Sequence, residues 1–220
     1  MPERSSLIEK ELAQAASIRE ATAFTASQLA AFNIDLAMKQ ENWRLDLAKD
    51  FPHHYFMFGD AVDSRNASNC MEVLGVWSRT DPGCDIEIVF NSPGGHVMPG
   101  MALFDYIRGL GLNGHKVTTS VLGCAASMAG IIVQAGSWRT VGRESYMLIH
   151  ELSSQAVGKI SDLEDLTSFV RKIQDRVVRV FLDRSGGKIT EPEFREKWAR
   201  RDWWLDSEEL LRYGFVDEIR

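Results

Sequence analysis

Residues 85–136 read DIEIVFNSPGGHVMPGMALFDYIRGLGLNGHKVTTSVLGCAASMAGIIVQAG, and this stretch decides the fold. DIEIVF (85–90) alternates and then becomes continuously apolar, the pattern of a strand entering a core. Two adjacent glycines follow it, and residues 98–110 then support a helix. VTTSVLG (117–123) gives a second strand, and SMAGIIVQAG (127–136) a buried helix. Working outward, SYMLIH (145–150) is a third strand. Upstream, HYFMFG (54–59) reads as a strand closed by Gly59, and residues 63–77 read as a helix with Met71, Leu74 and Trp77 on its apolar face. DPG at 81–83 marks a turn. From Asp162 to about Arg184 a long amphipathic helix carries Leu163, Leu166, Phe169, Val170, Ile173, Val177 and Val180. Strand and helix alternate through most of the chain, which argues for an α/β fold with crossover helices.

The first fifty residues differ. Ile18, Ala21, Thr25, Leu29, Phe32, Leu36, Trp43 and Leu47 recur every three to four residues among Glu, Lys, Arg and Gln, a modest stripe on a helix or helix pair. Asn33 and Asn42 argue against one unbroken rod. The expected division is therefore a helical extension over 1–50 and an α/β domain over 51–220. With 45% hydrophobic and 25% charged residues and a net charge of -6, nothing in the composition points to nucleic acid. No apolar run approaches the roughly 18 residues that span a bilayer. The start, MPERSSLIEKEL, has early carboxylates and no apolar core, so it does not read as a secretory leader. Cys70, Cys84 and Cys124 show no metal-ligand or redox spacing and read as reduced thiols of a cytoplasmic protein.

Two segments carry candidate chemistry. NSPGGHVMPG (91–100) puts glycines between a strand and a helix, where backbone N–H groups can meet an anion or a developing oxyanion. A Pro-Gly-Gly turn is the plainer alternative, and the P-loop pattern is absent. GCAASMAG (123–130) puts Ser127 where a strand gives way to an apolar helix, with Ala125, Ala126 and Ala129 leaving room for a substrate chain. Ser127 reads either as a helix cap or as a nucleophile. His150, ending SYMLIH, could serve as its base or as a structural histidine. His53, His54 and His115 lie in polar boundary segments, and His96 follows the glycine loop. For a carboxylate to orient His150, Asp202 competes with Asp183, Asp206 and Asp217, and Trp203 and Trp204 could shield it. No HExxH pair or comparable cluster supports a metal site.

NSPGG (91–95), GCAASMAG (123–130), MLIH (147–150) and RDWWLDSEELLRYGFVDEI (201–219) resemble, in order and approximate spacing, successive signatures of the proteolytic subunit of the ATP-dependent Clp protease. The resemblance covers about residues 55–219. It implies a serine endopeptidase with Ser127 as nucleophile, His150 as base and Asp202 as orienting carboxylate. It also implies oxyanion donors at the backbone of Gly95 and Met128, and neither cofactor nor metal. The chain order Ser–His–Asp differs from that of α/β-hydrolases. The implied fold is crotonase-like, built of repeated β-β-α units with a handle formed mainly by the helix near 162–184. The implied assembly is a homo-oligomeric ring, stacked on a second ring, that takes polypeptide from an ATP-driven unfoldase. The chain departs from the family pattern in four places. Glu151-Leu152 follows His150 where a proline usually stands two positions on. AVGKISD (156–162) opens the handle. KITEPEFREKWARRD (188–202) is longer and more charged than the usual connection. The fifty-residue extension precedes the first core strand, as would suit a specialised relative such as the Clp-like proteases that mature phage capsids. The extension and the altered handle motivate one alternative, a catalytically silent structural or regulatory subunit.

Overall fold

The computed structural model describes residues 2–47, 50–153, 157–199 and 201–220; within the first helix, side chains are described over 13–20, 22–23 and 25–39. The side chains of Ala21, Trp43 and Leu47 from the expected stripe, and Ala156 of the handle entry, lie outside what is described. The chain divides into two units, Met1–Pro52 and His53–Arg220.

The first unit is built on α1 (Pro2–Leu47), one continuous helix of 46 residues. The break expected at Asn33 and Asn42 does not occur. A solvated asparagine costs a helix only a few tenths of a kcal/mol relative to alanine, too little to interrupt it. Leu29, Phe32, Ile34 and Met38 are exposed along it.

The second unit runs β1 (Tyr55–Phe58), α2 (Ser64–Thr80), β2 (Asp85–Ser92), α3 (Val97–Leu112), β3 (Lys116–Ala126), α4 (Met128–Val133), β4 (Trp138–Val141) and β5 (Tyr146–Ile149). It continues through α5 (Ile160–Arg184), α6 (Glu191–Trp198), β6 (Trp203–Leu205), α7 (Ser207–Tyr213) and β7 (Glu218–Ile219). The strand–helix alternation read from residues 85–136 is present, and the strands form one sheet of order β1-β2-β3-β4-β7. All pairs along that path are parallel, as crossover helices require. This is an α/β fold, with repeated β–α elements on a mainly parallel sheet.

Central β3 has two neighbours on one edge. Its lower half, Thr118–Val121, pairs with β4, and its upper half, Cys124–Ala126, pairs with β5. Antiparallel β6 then adds to β5. Sequence patterning missed β6 and β7, which at three and two residues are too short for a period to register, and β4, whose four residues set Arg139 and Thr140 among the apolar ones. It also missed α6, which lies inside the charged connection. Thr190 caps that helix by accepting from Glu193 N, while Phe194 and Trp198 are buried.

Two packing centres hold the sheet. Trp77, Leu74, Leu103 and Ile107 bury the facing sides of α2 and α3. Phe181, Phe194, Trp203, Tyr213 and Phe215 form an aromatic cluster, with Phe181–Phe215 at 5.0 Å and Phe194–Trp203 at 5.6 Å between ring centres. Edge-to-face pairs of this kind contribute about 1 kcal/mol each beyond burial, and here they brace β6. Among the described residues no helix is long and apolar enough to cross a membrane.

Buried Arg139 of β4 donates from Nε and Nη2 to the two carboxylate oxygens of Asp217, at 3.0 and 2.6 Å, and from Nη1 to Gln134 Oε1 at 2.7 Å. Burial pushes the Asp217 carboxyl up, but the hydrogen bonds and charge of Arg139 outweigh it and hold it below its ordinary value. A carboxyl depressed on folding stabilises at neutral pH, and that stability is lost as the pH falls through the folded value. Asp217→Ala strands the buried guanidinium, so it is expected to cost about 3 kcal/mol in denaturant unfolding at pH 7. The gap between wild type and variant should narrow in strong acid.

Candidate active site

The upper half of β3 creates the site. Between two register positions β2 advances from Phe90 to Ser92 while β3 advances from Val121 to Ala125, so β3 carries the excess residues. Gly123, at φ 85°, takes the turn this bulge needs. Ser145 Oγ accepts from Gly123 N at 2.9 Å and Asn91 Oδ1 accepts from Cys124 N at 3.3 Å, satisfying the freed backbone. The bulge redirects β3 from β4 onto β5, and Ser127 N donates to Leu148 O at 2.8 Å.

Ser127 therefore ends a strand pinned beside β5 and begins α4, of which every residue is buried. Its backbone is left-handed, with φ 54° and ψ -124°, a region that costs a non-glycine residue about 1–3 kcal/mol and persists only where the surroundings impose it. The capping alternative is not realised, because Ser127 makes no side-chain cap bond. Among the described residues its hydroxyl, half-buried, has no hydrogen-bond partner. Ala125, Ala126 and Ala129 are buried rather than lining an approach for substrate, so their small size serves close packing under the turn.

The glycine loop lies against this turn. Val62 N donates to Gly94 O at 2.8 Å and His96 N donates to Val62 O at 2.6 Å. With the flanking residues engaged on that side, the N–H of Gly95 projects from the opposite side of the extended segment. Met128 N is among the first N–H groups of α4, which have no intrahelical acceptor. A Cβ on Gly94, at φ 83°, would stand 2.7 Å from Ser127 Cβ and 2.9 Å from Met128 N, and would collide with the Ala126 carbonyl oxygen. Ser92 Oγ holds the loop by donating to Asp60 O and accepting from Gly94 N at 3.2 Å. Sequence patterning marks Gly94 within the glycine loop, but not the anchoring of that loop by Ser92 and Asp60. Gly94→Ala must displace either Ser127 or the Met128 N–H. It is expected to lower peptide hydrolysis by about 100-fold or more, with a far-ultraviolet spectrum like that of wild type.

β5 and β6 carry His150 and Asp202 to facing ends of one ladder. That antiparallel ladder pairs Met147 with Leu205, Leu148 with Trp204 and Ile149 with Trp203. One step further, His150 stands opposite Asp202. The two line a recess of about 390 Å³ with Glu151 and Arg201. His150 Nδ1 lies 2.6 Å from the Glu151 carbonyl oxygen. A carbonyl only accepts, so Nδ1 carries the proton and Nε2 keeps its lone pair, the tautomer a general base needs. Asp202 is exposed, and Trp203 turns into the aromatic cluster while Trp204 is 52% exposed, so the expected shielding is absent. The rival carboxylates are placed elsewhere. Asp183 is exposed on α5, Asp206 caps α7 by accepting from Glu209 N, and Asp217 binds Arg139.

Among the described residues the one Ser–His hydrogen bond is that between Ser78 Oγ and His115 Nε2, at 2.9 Å. It lies at the opposite ends of the strands, where His115 Nδ1 contacts Cys84 O at 3.2 Å and no bulge or buried helix start supplies donors. His96 is exposed at the start of α3, and His54 sits near Asp81.

An unengaged serine hydroxyl on an imposed left-handed turn, backed by a helix start and a glycine loop, is the arrangement of a serine hydrolase on an α/β scaffold. A family model described as Clp protease matches residues 39–220. The chain is 32% identical over 165 residues to an ATP-dependent Clp protease proteolytic subunit of Bacteroides fragilis, covering 73% of this chain and 76% of the relative. It is 34% identical over 164 residues to proteolytic subunit 1 of Protochlamydia amoebophila, covering 73% and 77%. A third relative, proteolytic subunit 2 of Tropheryma whipplei, is 29% identical over 164 residues, covering 74% and 88%. The chain belongs to the Clp protease family, and it is a serine-type endopeptidase.

Proposed function

We propose that Ser127 is the nucleophile, His150 its general base, Asp202 the carboxylate that orients His150, and the N–H groups of Gly95 and Met128 the oxyanion donors. The observation that carries this reading is the left-handed backbone of Ser127 combined with its unengaged hydroxyl. Ser127 attacks the peptide carbonyl as His150 Nε2 takes its proton. The two N–H groups receive the developing oxyanion, His150 protonates the leaving amine, and water then cleaves the acyl-enzyme. Formation of the working triad requires His150 Nδ1 to exchange the Glu151 carbonyl for the Asp202 carboxylate, a tightening common between resting and substrate-bound sites.

The chain acts on polypeptide as a subunit of a homo-oligomeric ring, with a crotonase-like core over 51–220 and residues 1–50 as a helical extension. The division into Met1–Pro52 and His53–Arg220 supports that boundary. Helix α5 serves as the handle, and its exposed Ile160 and Phe169 support a role in contacts between subunits. Delivery of substrate by an ATP-driven unfoldase, stacking of two rings and a cytoplasmic location, consistent with three free cysteines, complete the reading.

Labelling the full chain with a fluorophosphonate and mapping the adduct by peptide mass spectrometry tests the assignment. The adduct is expected on Ser127. An adduct on Ser78, or complete absence of labelling in an assembled particle, would overturn it, and the second result would favour the catalytically silent subunit.

A further inference from the structure

At the end of the sheet away from Ser127, the turn at 81–84 gathers metal-ligating side chains. Asp81-Pro82-Gly83-Cys84 closes with Cys84 N donating to Asp81 O at 3.1 Å, and Gly83 takes φ 83°. Proline second and left-handed glycine third is the chemistry of a type II turn, which presents its first and fourth side chains side by side. His54 reaches the same place from the segment entering β1, with Nε2 at 3.8 Å from Asp81 Oδ2. One ligand atom each from His54, Asp81 and Cys84 lies within 4.8 Å of the others.

We propose that His54 Nε2, an Asp81 carboxylate oxygen and Cys84 Sγ form a zinc-binding site. Tetrahedral zinc holds its donors roughly 3.5 Å apart, a spacing these three reach by small side-chain rotations. A thiolate with an imidazole and one carboxylate selects zinc over magnesium or calcium, which take oxygen donors. Water completes the fourth position.

His115 supports the site from behind. Its Nδ1 lies 3.2 Å from the Cys84 carbonyl oxygen and 3.6 Å from Cys84 Sγ. The carbonyl can only accept, so Nδ1 carries the proton and presents it to the sulfur as well. Nε2 is then the acceptor for the Ser78 hydroxyl at 2.9 Å. A buried imidazole N–H fixed by a second hydrogen bond is the outer partner that steadies a zinc-bound thiolate. This assigns the Ser78–His115 pair a positioning role. Binding exchanges the thiol proton of Cys84 for a zinc–sulfur bond and releases that proton to solvent. The ion clips the start of β1 to the α2–β2 turn.

The test uses untagged full-length protein stripped with a chelator, loaded with zinc sulfate and gel-filtered. Elemental analysis is expected to find one zinc per chain, and thermal unfolding is expected to shift upward with added zinc. Cobalt loading should give a thiolate charge-transfer band that Cys84→Ser removes and Cys124→Ser leaves intact. His54→Ala should abolish retention, and His115→Ala should weaken zinc binding about 10- to 100-fold. Absence of retained zinc, or retention indifferent to both Cys84→Ser and His54→Ala in variants with native circular dichroism, would overturn the site. Fluorophosphonate labelling of Ser127 is independent of either result.

Discussion

Ser127→Ala is expected to remove hydrolysis of an unfolded protein substrate almost completely, by a factor on the order of 10⁶ in kcat, while the particle still assembles. The magnitude follows from the proposed role of Oγ as the atom that forms the acyl intermediate. Alanine also tests whether the left-handed turn is imposed by packing. The Ser127 N–H to Leu148 and the buried α4 remain, so the turn should survive the substitution with stability changed by less than about 1 kcal/mol. Ser78→Ala is the matched control. It removes the hydroxyl that does bond a histidine in the resting geometry, yet hydrolysis should stay within twofold of wild type. Equal loss in both variants would shift the chemistry away from the end of β3.

The second large effect is expected at Asp202. Asp202→Asn should lower kcat about 10⁴-fold with little change in KM, because an amide can hold the imidazole in the wrong tautomer and cannot stabilise the imidazolium. This substitution also decides between two supports for His150. In the resting geometry the Glu151 carbonyl already fixes the Nδ1 proton. Were that bond the working one, Asp202→Asn would cost less than tenfold, because the tautomer would be kept and only a remote charge lost. A deep loss instead requires β5 and β6 to bring the two facing residues into contact during catalysis. Asp217→Asn provides the comparison, since it should lower stability while sparing kcat in the folded protein.

The sheet was legible because its main strands are long enough to show their pattern. DIEIVF becomes the eight-residue β2, and VTTSVLG is extended by the bulged CAA that carries the chain to Ser127. The glycine loop and Ser127 were also visible as residues at strand-to-helix junctions. What could not be read was the cause of their geometry. The bulge depends on Asn91 and Ser145 satisfying backbone groups far away in sequence, and local patterning does not report such partners. Asp202 owes its position to β6, three residues held by an aromatic cluster drawn from four separate segments. The proposed zinc ligands are illegible in the sequence for the same reason. His54 is nearly thirty residues from the DPGC turn and meets it only through the parallel pairing of β1 with β2.

The most direct test of the central claim is a high-resolution structure of the full chain carrying a fluorophosphonate on its nucleophilic serine. The adduct should be on Ser127 Oγ, with the phosphonyl oxygen about 2.7–3.1 Å from both Gly95 N and Met128 N. His150 Nε2 should face Oγ, and its Nδ1 should have turned from Glu151 O to Asp202. A phosphonyl oxygen directed to solvent, with His150 still bound to Glu151 and Asp202 apart, would contradict the account.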